Sequence, residues 1–322
     1  MSAPPLFNRL ALIGVGLIGS SIARAARMQG AVRSIVATAR SAATRRRIAE
    51  LSLADQVVET NAAAVEGADL AIVCIPVGAC GEVAREIGPH LKSGAIVSDV
   101  GSVKGSVLRE MTPHLPAGVH FVPAHPVAGT EHSGPDAGFA ELFVGRWCIL
   151  TPPPQADLHA VERLAAFWRL LGANVETMSA EHHDLVLGIT SHLPHLIAYT
   201  IVGTADELSQ VTRSEVLQFS AGGFRDFTRI AASDPTMWRD VFLHNKDAVL
   251  EMLGRFNEDL STLTGAIRRG DGDALFDQFT RTRAIRRGIV EIGQDSPAPD
   301  FGRPHPDLPH EPLPRPYAVD DK

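Results

Sequence analysis

Cysteine is scarce in this chain of 322 residues. Cys74, Cys80 and Cys148 are odd in number and far apart, which excludes a disulfide framework and fits a reducing, cytoplasmic setting. The longest apolar run, Leu70–Cys80, is about half of what spans a bilayer. Met1–Leu10 places Pro4, Pro5 and Arg9 where a signal peptide needs apolar residues. Secretion and membrane insertion are therefore not expected. Basic residues are in deficit, 30 against 37 acidic, for a net charge of −7, so neither nucleic acid nor an anionic membrane surface is an expected partner. No internal repeat of 20 to 50 residues is visible. The partners left are a small molecule and another protein.

What is present is enough apolar material, 45% of residues, to give each of two domains a core. Up to about Ser179, short β-rich runs alternate with helix-period segments, the pattern of βαβ units around a parallel sheet. The expected strands are Leu10–Ile13, Ile35–Thr38, Leu70–Ile75, Ala95–Asp99, His120–Pro123, Cys148–Thr151 and Asn174–Met178. Helices are expected at Ser41–Leu51, opened by a Ser cap, and at Leu158–Leu171. Beyond Ser179 the strand signal disappears, and Glu181–Leu208, Thr212–Leu217, Pro235–Arg269 and Ala274–Ile292 read as helices. Within Met237–Ile267, Val241, Phe242, Val249, Leu250, Leu253, Phe256, Leu260, Leu263 and Ile267 recur near the helical period, a stripe that a second copy of the chain would cover. The fold class is thus an α/β Rossmann-type dinucleotide-binding domain (1–179) followed by an all-α helical dimerisation domain (180–295), with a homodimer expected. Eight of the 22 prolines lie in Pro297–Lys322, so 296–322 is set apart as a proline-rich tail outside both cores.

Gly14-Val15-Gly16-Leu17-Ile18-Gly19 follows the first strand and opens a helix at Ser20–Met28. In that context the three glycines serve a tight turn, close approach of backbone to a pyrophosphate, and helix-on-strand packing, with the anion at the helix N-terminus. Cofactor contacts are expected from Gly14, Gly16, Leu17, Ile18 and Gly19, with Ile75 and Pro76 at a neighbouring strand end. No acidic residue stands about 20 residues on, where one would take the ribose 2′-hydroxyl of NAD. Instead Arg40 and Ser41 are followed by Arg45, Arg46 and Arg47. A 2′-phosphate would suit Arg40 with one of these, so NADP is favoured over NAD, although Arg45–Arg47 also read as a solvated basic helix face.

Two later segments fall at strand ends facing the same crevice, Asp99-Val100-Gly101-Ser102-Val103-Lys104 and Ala124-His125-Pro126-Val127-Ala128-Gly129-Thr130-Glu131. A histidine beside a serine hydroxyl can take a hydrogen bond or proton from a substrate alcohol while hydride leaves the same carbon; alone, His125 reads equally as structural. The helical part supplies Ser191-His192-Leu193-Pro194-His195 and a segment with Arg225 and Arg229 four apart beside glycines. A guanidinium fork suits a carboxylate, and structural ion pairs would use the same residues. His192 and His195 share a helix face, but a third ligand at metal spacing is missing, and Glu181-His182-His183-Asp184 reads as an exposed first helical turn, so no metal is expected.

These motifs, G-V-G-L-I-G, D-V-G-S-V-K, H-P-V-A-G-T-E, S-H-L-P-H and G-F-R-D-F-T-R-I-A, in this order between Asn8 and Ile292, resemble those of the prephenate/arogenate (cyclohexadienyl) dehydrogenases of tyrosine biosynthesis. The resemblance implies an NAD(P)-dependent oxidative decarboxylation of a cyclohexadienol dicarboxylate. It gives His125 as acceptor for the 4-hydroxyl, Ser102 as its hydrogen-bonding partner, Arg229 as the grip on a carboxylate, and His192, Thr130, Glu131 and Trp238 around the pocket. Retention of His195 tilts the expectation toward prephenate or both substrates. Neither a fused mutase nor a regulatory domain is expected. Two rival readings are a two-domain 3-hydroxyacid dehydrogenase and a non-catalytic NAD(P)-sensing dimer. The first needs a lysine early in the second domain, and Ser179–Asn245 contains none; the set Ser102, His125 and Arg229 argues against the second.

Overall fold

The structure, a computed structural model, describes residues 4–130, 132–218 and 221–291. Glu131 and the proline-rich segment 296–322 lie outside the described residues. The chain divides into two compact units, Met1–Arg255 and Phe256–Lys322.

The first unit is built on a six-stranded, all-parallel sheet. Its elements in chain order are β1 (Phe7–Ile13), α1 (Leu17–Met28), β2 (Val32–Thr38), α2 (Ala42–Glu50), β3 (Gln56–Val58), α3 (Asn61–Val65), β4 (Leu70–Val73), α4 (Cys80–Ile87), β5 (Ile96–Asp99), α5 (Gly105–Met111) and β6 (His120–Phe121). The strand order β3-β2-β1-β4-β5-β6 puts the point where the winding reverses between β1 and β4, and ligands of open parallel sheets bind outside the carboxyl ends there. Leu70, Ala71, Ile72 and Val73 are all buried, as a strand covered on both faces requires.

A second, three-stranded sheet follows, made of β7 (Ala124–Pro126), β8 (Trp147–Leu150) and β9 (Asn174–Thr177), with α6 (Leu158–Leu170) between the last two. β7 runs antiparallel to β8, and β8 parallel to β9. The sequence reading missed β3 and β7 and placed all strands in one parallel sheet. Three-residue strands carry too short a pattern to be seen. The expected strand His120–Pro123 splits because the chain leaves the large sheet after Phe121 and pairs anew at Ala124.

Helices α7 (Ala180–Leu187), α8 (Leu193–Gln218), α9 (Gly222–Thr228) and α10 (Pro235–His244) belong to this same unit, which runs past Ser179. The reason is packing: Trp238 and Val241 of α10 sit in one cluster with Ile13, Val73, Val77 and Val97 of the sheet side. The expected helix Pro235–Arg269 breaks at Asn245, between α10 and α11 (Lys246–Arg269), and the stretches expected as Glu181–Leu208 and Thr212–Leu217 run through as α7, a π turn at Gly188–His192 and an unbroken α8. The run Ala180–Glu207 is long and apolar enough to cross a bilayer by length and composition, a longer apolar segment than the sequence reading recognised. Its polar residues His183, Asp184 and His192 are nonetheless buried.

The second unit comprises the rest of α11 and α12 (Gly272–Glu291), joined at Gly270, whose φ of +67° supplies the left-handed residue that ends a helix. Asp271 accepts from the Ala274 amide at 3.1 Å and caps α12. Of the expected apolar stripe, Val241 and Val249 are buried in the first unit, whereas Leu260 and Ile267 are exposed in the second, as are Phe276 and Phe279.

α1 opens on Gly16, without a side-chain cap and without an acidic residue in its first turn, three residues earlier than the sequence suggested. Gly14 has φ +82°, and a Cβ there would lie 2.5 Å from the Cys74 carbonyl oxygen; at Gly16 a Cβ would meet nothing within 4 Å. Gly14→Ala should therefore destabilise the protein by about 1–3 kcal/mol, while Gly16→Ala should leave unfolding within about 0.5 kcal/mol of the parent. Denaturant melts of the two variants test this; equal stabilities would refute the strain at Gly14.

Candidate active site

The carboxyl ends of β1, β4 and β5 and the start of β7 converge on one region. At its floor lies an ion pair between Lys104 and Asp99, both side chains wholly buried. Lys104 Nζ also donates to the Ala124 carbonyl at 2.8 Å. Asp99 Oδ2 accepts from the Gly101 amide at 2.8 Å. These bonds fix the loop bearing Ser102 to the strand bearing His125.

His125 is buried, and its Nδ1 lies 2.9 Å from Nε2 of His183. Nδ1 of His183 lies 2.8 Å from Asp184 Oδ1. The same carboxylate accepts from the backbone N–H of Lys104 and of Gly105, each at 2.8 Å. The expectation that Glu181–Asp184 is an exposed turn is corrected: Glu181 and His182 face outward, but His183 is fully buried and Asp184 nearly so. The Ser179 hydroxyl caps α7 through the His182 amide, which directs the next two side chains inward.

His192 enters through the π turn. At 3.6 residues per turn, positions nine apart lie on opposite helix faces; the wider turn takes up the difference and brings His192 round toward His183 and Asp184. Asn245, at the break after α10, bridges them: its amide nitrogen donates to the Asp184 carbonyl at 2.8 Å and to His192 Nδ1 at 3.0 Å. That bond makes Nδ1 the acceptor and Nε2 the protonated nitrogen of His192. Nε2 is buried without a well-aligned hydrogen bond, although the Ser102 backbone lies near enough to favour its protonated form; it is the kind of donor a ligand oxygen completes. Trp238 Nε1 is a second one. Its indole stacks on His195, ring centroids 3.6 Å apart, and His195 is held by the Ser191 carbonyl at 2.9 Å. Arg229, partly buried at the end of α9, is close enough for its charge to depress the basicity of His195.

The structure thus brings together Ser102, His125, His192, His195, Trp238 and Arg229. Arg225 is exposed on α9. Thr130 Oγ1 accepts from the His132 amide at 3.0 Å in the loop after β7. At the other end of the crevice, Ile75 packs on Gly14, and Pro76 follows at the surface. Ser41 caps α2, accepting from the Thr44 amide at 3.0 Å. Arg45 donates to the carbonyls of Ala39 and Arg40, and Arg47 is engaged by Asp136 and Glu50. Arg40 projects into solvent after β2. The open space over Gly16 and the uncapped start of α1 fit a dinucleotide pyrophosphate. Among the described residues no group of His, Cys, Asp and Glu could hold a metal ion. Sequence reasoning missed His183, Asp184, Asn245 and the structural part of Lys104. The only signal was that E-H-H-D opens a helix, which says nothing of what that helix packs on.

A Rossmann-type sheet with a glycine cradle, joined to a pocket of buried imidazoles, defines the class: a nucleotide-binding dehydrogenase, an enzyme. Two family models match the chain, "Prephenate dehydrogenase, nucleotide-binding domain" over 22–177 and "Prephenate dehydrogenase, dimerization domain" over 179–281. The cyclohexadienyl dehydrogenase of Zymomonas mobilis is 43% identical over 284 residues, covering 88% of this chain and 97% of that one. The prephenate dehydrogenase of Bacillus subtilis is 32% identical over 306 residues, 95% of this chain and 82% of its own length. The solved prephenate dehydrogenase of Aquifex aeolicus, in complex with hydroxyphenyl propionate and NAD+, superposes with a TM-score of 0.82 at 33% identity, covering 88% of this chain and 98% of that one. The chain belongs to the prephenate dehydrogenase family.

Burial holds the imidazoles neutral. His125 is pushed well below the ordinary 6.5 by desolvation, then by His183, Lys104 and His192. His192 and His195 are each lowered to about 4, mainly by burial. Such groups bind fewer protons folded than unfolded between about 4 and 6.5, so stability is lost as pH falls through that window, by up to about 1.4 kcal/mol per pH unit for each group. The urea midpoint should therefore drop between pH 7 and pH 5. A midpoint constant over that range would contradict neutral burial.

Proposed function

We propose that the protein catalyses the NAD(P)-dependent oxidative decarboxylation of prephenate, arogenate or both. Hydride leaves the ring carbon bearing the hydroxyl, the ring carboxylate departs as CO2, and aromatisation makes the step downhill. The observation that carries this reading is His125: a buried imidazole kept neutral beside the Ser102 loop, in a chain similar along most of its length to dehydrogenases of these substrates. A neutral imidazole accepts a hydrogen bond where an imidazolium cannot.

His125 is the proposed acceptor for the 4-hydroxyl, with Ser102 orienting that hydroxyl. Arg229 is the cation for a substrate carboxylate, and a guanidinium partly withdrawn from water suits that task. His192 and Trp238 offer their N–H groups to substrate oxygens, and His195 shapes the wall against Trp238. Thr130, Glu131 and Arg225 are offered as peripheral contacts. When bound, the nicotinamide ring supplies the hydride acceptor. Gly14, Gly16, Leu17, Ile18 and Gly19 would cradle the pyrophosphate, and Ile75 and Pro76 would flank it. NADP is favoured over NAD, because Arg40 stands free in solvent after β2 and Ser41 and Arg45 shape that loop without an acidic residue.

The same proposal divides the chain at Ser179 into a nucleotide-binding and a helical domain, supported by two family models that meet there. It makes the active form a homodimer through the helical part, supported by the dimerization description and by the uncovered apolar faces of α11 and α12. A cytoplasmic location goes with free thiols at Cys74, Cys80 and Cys148, the last two buried.

The test is a steady-state assay crossing prephenate and arogenate with NAD and NADP, on the parent, His125→Asn and Arg40→Ala. Turnover is expected with at least one substrate. His125→Asn should lower kcat by about two or more orders of magnitude with dinucleotide affinity retained, and Arg40→Ala should weaken NADP more than NAD. Parent-like turnover in His125→Asn would remove that residue from the chemistry; equal losses with both dinucleotides would defeat the 2′-phosphate assignment.

A further inference from the structure

We infer that His183 and Asp184 form a positioning pair that fixes the tautomer of His125, so that its Nε2 carries the lone pair and faces the substrate. The inference rests on the reading of His125 as hydroxyl acceptor and deepens it. The proton positions follow from the hydrogen bonds in sequence. Both oxygens of Asp184 already accept backbone N–H groups, from Lys104 and from Gly105, so the carboxylate is an acceptor toward His183 as well. His183 Nδ1 must then donate, at 2.8 Å. A neutral His183 is left with a bare Nε2, and a doubly protonated one is opposed by burial and by the nearby Lys104 charge. His125 Nδ1, 2.9 Å from that bare nitrogen, must therefore be the protonated one. Nε2 of His125 is the nitrogen left to accept, and no other hydrogen bond competes for it among the described residues.

One carboxylate therefore sets two elements at once. Through His183 it orients His125; through the amides of Lys104 and Gly105 it holds the loop two residues beyond Ser102. The pair comes from α7 and the groups it positions come from the sheet side. The bonds span 58 residues to His125 and 80 to Lys104, so a shift of α7 would disturb both together.

Two measurements test the inference. In the ligand-free parent protein labelled with 15N in its histidine rings, long-range 1H–15N spectra at pH 7, with His125 assigned by the peak lost in His125→Asn, should show Nδ1 protonated and Nε2 bare. The opposite tautomer, or a fast average of the two, would overturn the inference whatever His125 does in turnover, and it needs no variant of His183 to fold. The second is a pair of substitutions. His183→Leu removes the acceptor and His183→Gln restores an oxygen near the Nε2 position. His183→Leu should lower kcat about a hundredfold or more, as wrong-tautomer variants do in analogous relays, with KM and dinucleotide affinity within about threefold, and His183→Gln should recover at least about tenfold of the loss. Unchanged kcat in both, or equal loss in both, would assign His183 a packing role only. If His125→Asn keeps its turnover while the Nδ1–H tautomer is observed, the hydroxyl-acceptor reading fails and the positioning inference stands as a statement about the ring.

Discussion

The active region depends on one buried ion pair. Lys104 and Asp99 are both removed from water, and such a pair is retained only when further hydrogen bonds complete it, because desolvating two charges costs several kcal/mol each. Here the extra bonds go to the Ala124 carbonyl and the Gly101 amide. These are the backbone groups that position Ser102 on one side and His125 on the other. The pair also acts at a distance: the Lys104 charge disfavours protonation of His125 and of His183. The same ammonium that ties two loops together helps keep the imidazoles neutral.

Around this floor the helical segment is fitted by polar contacts rather than by apolar burial alone. Asp184 bonds backward to the Ser102 loop, and Asn245 bonds forward to Asp184 and His192. Trp238 and Val241 join the apolar cluster of the sheet. The break at Asn245 and the π turn before His192 each sacrifice regular helix geometry, and each delivers a polar group to the pocket. Irregularity concentrated at such places is what an assembled site requires. Burying imidazoles among these contacts keeps them neutral at the price of acid lability.

The legible part of the fold was local. The glycine cradle, most of the strands, the Ser41 cap and the order of sheet followed by helices all follow from spacing and residue type over a few positions, and the structure carries them with boundaries shifted by a few residues. Arg40 without an acidic neighbour was visible in the same way. What sequence did not reveal was set by distant pairing. β7 exists because Ala124 and Pro126 meet β8, a partnership with no signature in three residues. His183 looked like part of a solvated turn because nothing in E-H-H-D tells which face meets the sheet. Lys104 was read only as a letter in a motif, since a charged residue at a loop end is ordinarily exposed. Arg47, whose place in the sequence fits either a 2′-phosphate contact or a solvated helix face, is occupied by Asp136, 89 residues away.

The Lys104–Asp99 pair holds the site in register. The most direct measurement is a double-mutant cycle of unfolding free energy, with kcat followed alongside, for Lys104→Met, Asp99→Leu and the double variant. Each single change should cost about 3–5 kcal/mol by leaving an unpaired buried charge. The double variant should lose much less than the sum, with a coupling energy of about 3 kcal/mol or more, while its kcat stays low because the tethers to Gly101 and Ala124 are gone. Additive losses, or a Lys104→Met protein with parental stability and turnover, would contradict the account.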